Sequence, residues 1–425
     1  MSMIASQLTP QDIDLVRAQF PLLSDGPQAH LAYLDNAATT QKPQAVLDAM
    51  TRYYCTANSN VGRGYYTLSM DSTDRFEAAR CEVQRAIGAR YPAEVVFTTG
   101  TTASINLLAE SLGAGRVGPG DRVVITGMEH NSNLLAWRRL CERSGAELVI
   151  VPFNADGHVE LEAFVDALDD RVRLAAFTHI SNVLGTVNPV REMTEAAHAC
   201  GALVVVDGAQ AVPHRPIDVT ALGVDFYCFS AHKMYGPMGT GVLYGRLGLL
   251  EELPPYQVGG GTVKAVSHSE TVNYVPVPER FEAGTPNVAG AVGLAAAFRF
   301  LAELGWDEII RHNDSLVRHF VDAVDDLPGV RVIGDPAREP SGIVSIDVDG
   351  IHPYDVGGHL NQAGIAVRCG VHCASTFLDD LGLLGTVRVS FGVYNTLAEV
   401  DRVVAALATV APGEWTRERP DCRFV

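Results

Sequence analysis

The sequence predicts an α/β fold with a mostly parallel central sheet, followed by a smaller α+β domain. Runs rich in β-branched residues recur between residues 94 and 245, separated by helical or loop segments. Some of these runs, such as 202–206, are apolar throughout, which is typical of strands buried on both faces of a parallel sheet. After about residue 290 a long helical stretch and several short strands follow. This change of pattern predicts the second domain.

The first 290 residues predict a helical N-terminal segment and a large domain. Residues 1–30 form the segment, because Thr9 is suited to cap a helix that has Pro10 at its first position. Residues 31–290 form the large domain. Its expected strands are EVVFTT (94–99), DRVVIT (121–126), AELVIVPF (146–153), VRLAAFTHI (172–180), ALVVVDGAQ (202–210), DFYCFS (225–230) and TGVLYG (240–245).

The small domain is expected over residues 291–412, with 413–425 as a loosely held tail. It starts with the long helix AGAVGLAAAFRFLAELG (289–305). Its further expected elements are the strand SGIVSIDVDG (341–350), the helix HPYDVGGHLNQAG (352–364) and the strands IAVRC (365–369) and VRVSFGVY (387–394).

The composition excludes several classes of function. Apolar residues make up 47% of the chain and charged residues 19%, which indicates a compact globular protein. The formal net charge of −18 opposes binding to nucleic acid or to an anionic membrane, since both require a basic surface. The N-terminus has no basic segment followed by an apolar one, and no apolar run is long enough to span a membrane. We therefore expect a cytoplasmic protein.

The eight cysteines fit neither a disulfide framework nor a zinc site. The closest pair, Cys369 and Cys373, misses the usual zinc spacings, so we expect no metal. Most of the others, such as Cys141, Cys200 and Cys228, have apolar neighbours and are expected to be buried thiols.

Polar residues follow two of the predicted strands, at the edge where ligands bind in such folds. The run 94–99 leads into TTGTT (98–102) and a good helix, so hydroxyls and free N–H groups form either an anion site or a plain capping loop. Asp207 follows an apolar strand and requires a partner for its charge, unless it only caps the next helix.

Lys233 lies near the end of the next strand, in FSAHKMYGPMGTG (229–241). A buried ammonium in such surroundings is costly unless it is paired or used chemically. An anion site, a buried carboxylate and a buried lysine on neighbouring strand ends fit pyridoxal phosphate, which requires a phosphate site, an acid for its ring nitrogen and a lysine for its covalent link. When released, the lysine can act as a base because desolvation lowers its pKa.

Several stretches occur in an order that is similar to one enzyme family: MEHNSNLLAW, THISNVLGTVNP, VVVDGAQAV, FSAHKMYGPMGTGVLY, RFEAGTPN and AVRCGVHCA. The sequence resembles the group II (Suf-type) cysteine desulfurases and selenocysteine lyases, of the class V aminotransferase-like family. The resemblance runs from Tyr33, in YLDNAATTQKP, to about Leu407. It implies a fold-type I pyridoxal phosphate-dependent transferase.

The resemblance also implies a role for each matching residue at the cofactor. Lys233 would form the covalent link, Asp207 would pair with the pyridine nitrogen, and Gln210 would bond the ring oxygen. His130 would stack on the ring and take part in catalysis. The phosphate would be held by Thr101, Thr102, Ser230, His232 and, from a second subunit, Thr285. A homodimer with shared sites would follow.

The substrate carboxylate would be received by Asn182 and Arg388, because a guanidinium fork suits a carboxylate. Arg368 and Arg63 would complete the substrate site. Two of the residues implied by the resemblance have structural alternatives. His130 could belong to a surface loop, and Arg388 could form an ion pair between the domains.

Cys373 implies the reaction. In the resembled family, the cysteine of R-x-G-x-H-C-A attacks the γ-sulfur of the substrate as a thiolate; here the stretch reads RCGVHCA (368–374). After Lys233 removes the α-proton, the products would be alanine and a persulfide on Cys373, with His372 or Arg368 favouring the thiolate. Cys369 would either take up sulfur afterwards or pack as a buried thiol.

The chain departs from the family pattern around the entrance to the site. Asn131 follows His130 where a second histidine is usual, residues 62–66 read GRGYY, Val371 precedes His372, and Ser375-Thr376-Phe377 follow the cysteine region. The expected substrate is L-cysteine or a related sulfur or selenium amino acid, and a sulfur-acceptor protein is expected, as in iron–sulfur cluster assembly. The alternatives are a related enzyme that uses no protein thiol, such as a C–S lyase, an epimerase or a transaminase, and a catalytically silent scaffold.

Overall fold

A computed structural model describes residues 10–26, 28–265 and 272–410 of the 425-residue chain. The strands are β1 (Ala32–Tyr33), β2 (Val95–Thr98), β3 (Arg122–Thr126), β4 (Glu147–Val151), β5 (Val172–Thr178), β6 (Leu203–Asp207), β7 (Phe226–Ser230), β8 (Gly241–Gly245), β9 (Val263–Ala265), β10 (Asn273–Tyr274), β11 (Val330–Ile333), β12 (Ile343–Val348), β13 (Ile365–Ala366), β14 (Arg368–Gly370) and β15 (Thr386–Ser390).

The α-helices are α1 (Pro10–Arg17), α2 (Pro21–Ser24), α3 (Gln44–Thr56), α4 (Thr67–Ala86), α5 (Thr101–Gly113), α6 (Asn131–Ser144), α7 (Leu161–Asp166), α8 (Val190–Ala199), α9 (Val219–Leu222), α10 (Leu247–Glu252), α11 (Val288–Leu304), α12 (Trp306–Asp325), α13 (Pro353–Gln362), α14 (Ser375–Asp380) and α15 (Leu397–Leu407). The helix predicted at the N-terminus begins at Pro10 as expected; Thr9 and the predicted tail lie outside the described residues.

The central sheet has seven strands in the order β2-β8-β7-β6-β5-β3-β4. All neighbours are parallel except β8, which is antiparallel to both β2 and β7. Each of the seven predicted strands takes part. The prediction of a mostly parallel sheet is therefore confirmed, with one antiparallel strand that the sequence did not indicate.

The apolar character of the sheet strands follows from burial on both faces. In β6, Val204 and Val206 belong to one hydrophobic core and Val205 to the core on the other face. Side chains of a strand alternate between faces, so a strand covered by helices on both sides has no polar face. Asp207 ends this apolar run and therefore lies at the side of the sheet formed by the carboxyl ends of the parallel strands.

The small domain is built on a four-stranded antiparallel sheet in the order β11-β12-β15-β14. The run 365–369, predicted as one strand, is divided: β13 pairs in parallel with β1, and β14 pairs with β15. A further bridge joins Asp35 to Ser390. Residues directly after β1 are thereby held against the small domain, although the sequence assigns them to the large one.

Within the described part of the chain, no single helix is long and apolar enough to cross a membrane. Helices α11 and α12 reach that length and composition only as a pair, and the pair is bent by 79°. Most side chains of α11 are buried against the sheet domain.

Candidate active site

The carboxyl ends of the parallel strands surround a cavity of about 220 Å³. The small domain lines its other side through β14, β15 and the loop after β14. Of the residues predicted at the cofactor, it is lined by Thr101, Thr102, His130, Asp207, Gln210, Ser230, His232 and Lys233. Of those predicted at the substrate, it is lined by Asn182, Arg368, Cys373 and Arg388.

One end of the cavity gathers hydroxyl groups at the N-terminus of α5. Thr101 donates its backbone N–H to Ser230 Oγ at 2.8 Å, and the two hydroxyls lie 2.7 Å apart. Thr102 Oγ1 lies 2.7 Å from Ser132 Oγ, a residue that the sequence did not single out. His232 lines the same cavity. Since the first N–H groups of a helix bind anions, this end is suited to a phosphate.

Of the threonines in TTGTT (98–102), only Thr98 has the contacts expected of a plain capping loop. Its Oγ1 lies 2.8 Å from Ser104 Oγ and accepts the Gly100 N–H at 3.3 Å. Thr101 and Thr102 lie in the first turn of α5. Gly100 has a φ of 151°. A Cβ built on Gly241 would lie 2.4 Å from the Cα of Gly100. The loop can therefore approach the sheet this closely only with glycine at position 241.

The cavity lining also includes an acid and an amide. Asp207 is 5% exposed and accepts the Ala209 N–H at 2.9 Å. Burial raises its pKa, while the charge of Lys233 lowers it. Gln210 donates Nε2 to Ala37 O at 2.8 Å, and its buried Oε1 has no hydrogen-bond partner among the described residues. An amide oxygen only accepts hydrogen bonds, so this Oε1 would pair with the ring oxygen of the cofactor when that oxygen carries a hydrogen.

Lys233 lies in the 3₁₀ turn (Ala231–Lys233) that follows β7. Burial lowers its pKa to about 8, opposed by the negative charge of Asp207. The charge of Arg388 lowers the pKa further, and a Cys373 thiolate raises it. A lysine with such a pKa is partly neutral near pH 7 and can act as a nucleophile or as a base.

The lowered pKa of Lys233 predicts how the apo-protein takes up pyridoxal phosphate. Only the neutral amine attacks an aldehyde, so the rate of covalent uptake should rise about tenfold per pH unit at low pH. The uptake rate should level off above a pH of about 8. Stopped-flow absorbance measures this rate. A rise that continues to a pH of about 10 would indicate an ordinary lysine and contradict the prediction.

His130 ends the segment after β3 and caps α6. Its Nδ1 accepts the Ser132 N–H at 3.1 Å. Burial lowers its pKa to about 3, with further lowering by the charges of Lys233, Arg388 and Arg368. The imidazole is therefore neutral, and with Nδ1 as acceptor it carries its hydrogen on Nε2. Its position in the cavity lining argues against a surface-loop role.

Arg388 and Arg368 form the guanidinium end of the cavity. Arg388 donates Nη1 to Asn182 O at 2.7 Å and Nη2 to Asp35 Oδ1 at 3.3 Å. Arg368 Nη1 lies 4.0 Å from Asp35 Oδ2. Arg388 thus forms the ion pair considered from the sequence and also lines the cavity. Asp35, within YLDNAATTQKP, was missed because its partner is far away in the chain.

Cys373 lies in a short loop between β14 and α14 that is held at both of its central residues. Asn131 donates its N–H to Cys373 O at 2.7 Å, and Asn182 Nδ2 donates to His372 O at 2.8 Å. His372 and Cys373 have φ values of 52° and 55°. Two successive non-glycine residues in the left-handed region are uncommon, and such strain clusters at functional sites.

The expectation that His372 could stabilise a Cys373 thiolate as a cation is not supported. Burial lowers the pKa of His372 well below its usual value, as do the charges of Arg388 and Arg368. The imidazole is therefore neutral, and its Nε2 lies 2.8 Å from Thr386 Oγ1. A negative charge on Cys373 would instead act on Lys233 and Arg388 and raise the pKa of both.

Cys369 lies on the other face of β14 from the cavity. Arg368 lines the cavity, and successive residues of a strand point to opposite faces. A Cβ on Gly357 of α13 would lie 2.3 Å from Cys369 Sγ. The sulfur therefore packs on that helix, beside the small-domain core. Cys369 is half-buried and not fully buried as expected, but its packing on α13 favours a structural role over sulfur uptake from Cys373.

The departures around the cysteine have structural explanations. Asn131 uses its backbone, not its side chain, to hold Cys373. Val371 is buried in the core between sheet and helices. Ser375 begins α14, and the buried Phe377 packs edge-on against Phe153 with ring centroids 4.6 Å apart. Together these contacts anchor both ends of the loop.

Thr285 and Arg63 lie outside the cavity in the single chain. Thr285 is exposed, in a loop anchored by Glu282, which pairs with Arg80 at 2.7 Å; the two side chains are 6% and 1% exposed. Arg63 is exposed beside the fully exposed Tyr65. Their roles stay predictions.

The donor set fits pyridoxal phosphate. The lining combines hydroxyls and helix N–H groups, an acid, an amide with an unsatisfied oxygen and a lysine of lowered pKa. It also includes two arginines, whose guanidinium groups suit a substrate carboxylate.

Comparison with known proteins agrees with this arrangement. Residues 32–403 match the family model for class V aminotransferases. A cysteine desulfurase of Enterobacter sp. (strain 638) is 45% identical over 399 residues, which is 94% of this chain and 98% of that protein.

Two solved structures share the fold. The apo structure of the cysteine desulfurase of Thermococcus onnurineus NA1 has a TM-score of 0.89 at 38% identity and covers 95% of this chain and 98% of its own. The cysteine desulfurase CsdA of Escherichia coli has a TM-score of 0.86 at 38% identity and covers 93% and 97%. The prediction of a fold-type I transferase is confirmed. The chain belongs to the class V aminotransferase family and, within it, to the cysteine desulfurases, a family of pyridoxal phosphate-dependent enzymes.

Proposed function

We propose that this chain converts L-cysteine to L-alanine and takes the sulfur onto Cys373 as a persulfide. The observation that carries the proposal is that Lys233 and Cys373 line one cavity, from different domains, close enough for their charges to interact. A base and a nucleophile at one substrate are what the reaction requires.

Other residues that line the cavity are proposed to bind the substrate or the cofactor. Arg388 and Arg368 receive the substrate carboxylate, with Asp35 and Asn182 O fixing the guanidinium of Arg388. Hydroxyls at the start of α5 would hold the phosphate, and Asp207 would pair with the ring nitrogen. Bound pyridoxal phosphate supplies the electron sink that stabilises negative charge at Cα.

Proton transfer in this proposal belongs to Lys233, and His130 supports it as a neutral hydrogen-bond donor. Lys233 takes the Cα proton, for which its pKa of about 8 is suited, and later returns a proton to carbon. His130 is neutral with its hydrogen on Nε2, so it can donate a hydrogen bond within the cavity but carries no charge that would oppose the cations there.

Sulfur transfer is a balanced displacement. The Cys373 thiolate attacks the γ-sulfur of the substrate, an S–S bond forms and the C–S bond breaks. The electron pair of that bond remains with the carbon, which takes a proton to become the methyl group of alanine. Cysteine and one Cys373 thiol thus give alanine and one Cys373 persulfide, with no external oxidant. Selenocysteine would follow the same course.

The proposal extends to the assembly. Exposure of Thr285 on an anchored loop supports a homodimer in which this residue serves the partner subunit. We propose a cytoplasmic enzyme that passes its persulfide sulfur to an acceptor protein. Arg63 and Tyr65 are exposed in the segment 62–66, which departs from the family pattern.

Product analysis tests the proposed reaction against a C–S lyase. Incubation of the pyridoxal phosphate-loaded protein with L-cysteine should give alanine. In a limited reaction without reductant, about one alanine should form per active site, because each thiol accepts one sulfur in the first turnover. Pyruvate, with free sulfide and ammonia, would contradict the proposal and identify a lyase.

A further inference from the structure

The carbonyl oxygen of His232, in the peptide bond that carries Lys233, accepts four hydrogen bonds from one segment, residues 39–42. The donors are Thr40 N–H at 3.0 Å and, at 3.1 Å each, Thr39 Oγ1, Thr40 Oγ1 and Lys42 Nζ. A backbone carbonyl has two lone pairs, so four donors are an unusual concentration on one oxygen. This peptide is thereby fixed against YLDNAATTQKP, the motif that also supplies Asp35.

The ammonium of Lys42 contacts one carbonyl of its own segment and one carbonyl of the turn. Its ammonium donates to Thr40 O as well as to His232 O. On the other side of Lys233, the Tyr235 N–H donates to Thr40 Oγ1 at 2.7 Å. The backbone is therefore held to the same segment both before and after Lys233.

Position 42 holds a lysine in a chain whose cationic residues are almost all arginines. Only three of the 32 lysine and arginine residues of the chain are lysines, namely Lys42, Lys233 and Lys264. Burial lowers the pKa of Lys42 to about 8, so its position is costly for a cation. A compact ammonium can donate to two carbonyl groups at once in a small space, whereas a planar guanidinium fork is shaped for a carboxylate.

We propose that Lys42 is a positioning residue for Lys233: its ammonium holds the His232 carbonyl, fixes the peptide from which the cofactor-linked side chain projects, and adds a positive charge beside the phosphate end. The inference rests on the proposed function, in which Lys233 carries pyridoxal phosphate. Proximity to the phosphate end is supported by His232, whose pKa is lowered to about 4 by burial and by the charges of Lys233 and Lys42.

The Lys42→Met variant tests this role. It keeps most of the length of the side chain and removes the charge, while His232 O retains three donors, so the fold should persist. We expect the Kd of the apo-protein for pyridoxal phosphate, from absorbance titration, to rise about tenfold, the effect of one hydrogen bond from a charged group. The unfolding temperature of the apo-protein should stay within about 2 °C of wild type.

Two variants serve as controls. Lys42→Arg restores the charge and should recover part of the affinity. Lys264→Met makes the same change of net charge at an exposed residue of β9 and should bind the cofactor like wild type. Borohydride reduction followed by peptide mapping identifies the lysine that carries the cofactor.

The outcomes separate the inference from the proposed function. An unchanged Kd in Lys42→Met overturns the positioning role. Loss of affinity with a lower unfolding temperature, not recovered in Lys42→Arg, also overturns it, since that pattern indicates a purely structural residue. Wild-type protein that carries no reduced cofactor on Lys233 would instead overturn the proposed function.

Discussion

Replacing Lys233 with alanine is expected to abolish covalent cofactor binding and to lower the rate of alanine formation by at least about 10³-fold. Removal of a general base alone costs about 10²–10⁴-fold, and the covalent link is lost as well. The hydroxyl groups at α5 and Asp207 remain, so the variant should still bind pyridoxal phosphate without a covalent bond. Absorbance spectra and borohydride labelling report on the link, and amino-acid analysis reports on turnover.

Lys42 and Lys264 act as internal controls for this experiment, since they are the other lysines of the chain. In wild type, the reduced cofactor should map to Lys233 alone. In Lys233→Ala, neither remaining lysine should be labelled. Covalent labelling of Lys42 in wild type, or unchanged turnover in the variant, would contradict the role given to Lys233.

The second large effect is expected at Cys373. Cys373→Ala should lower alanine formation from L-cysteine by about 10³-fold or more, the order expected when a catalytic nucleophile is removed. Cofactor binding should be unaffected, because the loop is held by backbone groups of residues 372 and 373 and not by the thiol. The absorbance of bound cofactor and the rate of alanine formation are the two measurements.

Cys369→Ala is the matched control. It removes a thiol four residues away, on the opposite face of β14, where Sγ packs on α13. Turnover should remain close to wild type, with a modest loss of stability. Equal loss of turnover in the two variants would contradict the assignment of the nucleophile to Cys373 alone.

Sequence reasoning predicted the parts of the site that depend on local pattern. Asp207 was predicted because it ends an apolar strand, and Lys233 because it lies among small residues after the next strand. Both predictions depend only on the rule that ligands bind at the carboxyl ends of the strands in such folds. The seven strands of the large sheet were likewise predicted, from runs rich in β-branched residues between helical or loop segments. The split of residues 365–369 was not, because β13 finds its partner in β1, more than 300 residues earlier.

Tertiary contacts determined what the sequence left open. The ion pair of Asp35 with Arg388 joins residues from opposite ends of the chain. The charge state of His372 depends on burial that no local pattern shows, and the face of β14 on which Cys369 lies depends on strand register. The concentration of donors on His232 O likewise requires the segment 39–42 to meet the turn after β7.

The central claim is that the sulfur of the substrate is transferred to Cys373. Its most direct test is mass-spectrometric mapping of persulfides after reaction of the loaded protein with L-cysteine, without reductant and with alkylation of free thiols. We predict one additional sulfur atom on the peptide that contains Cys373, formed in step with alanine. Alanine formed without any sulfur on Cys373, or sulfur found first on Cys369, would contradict the claim.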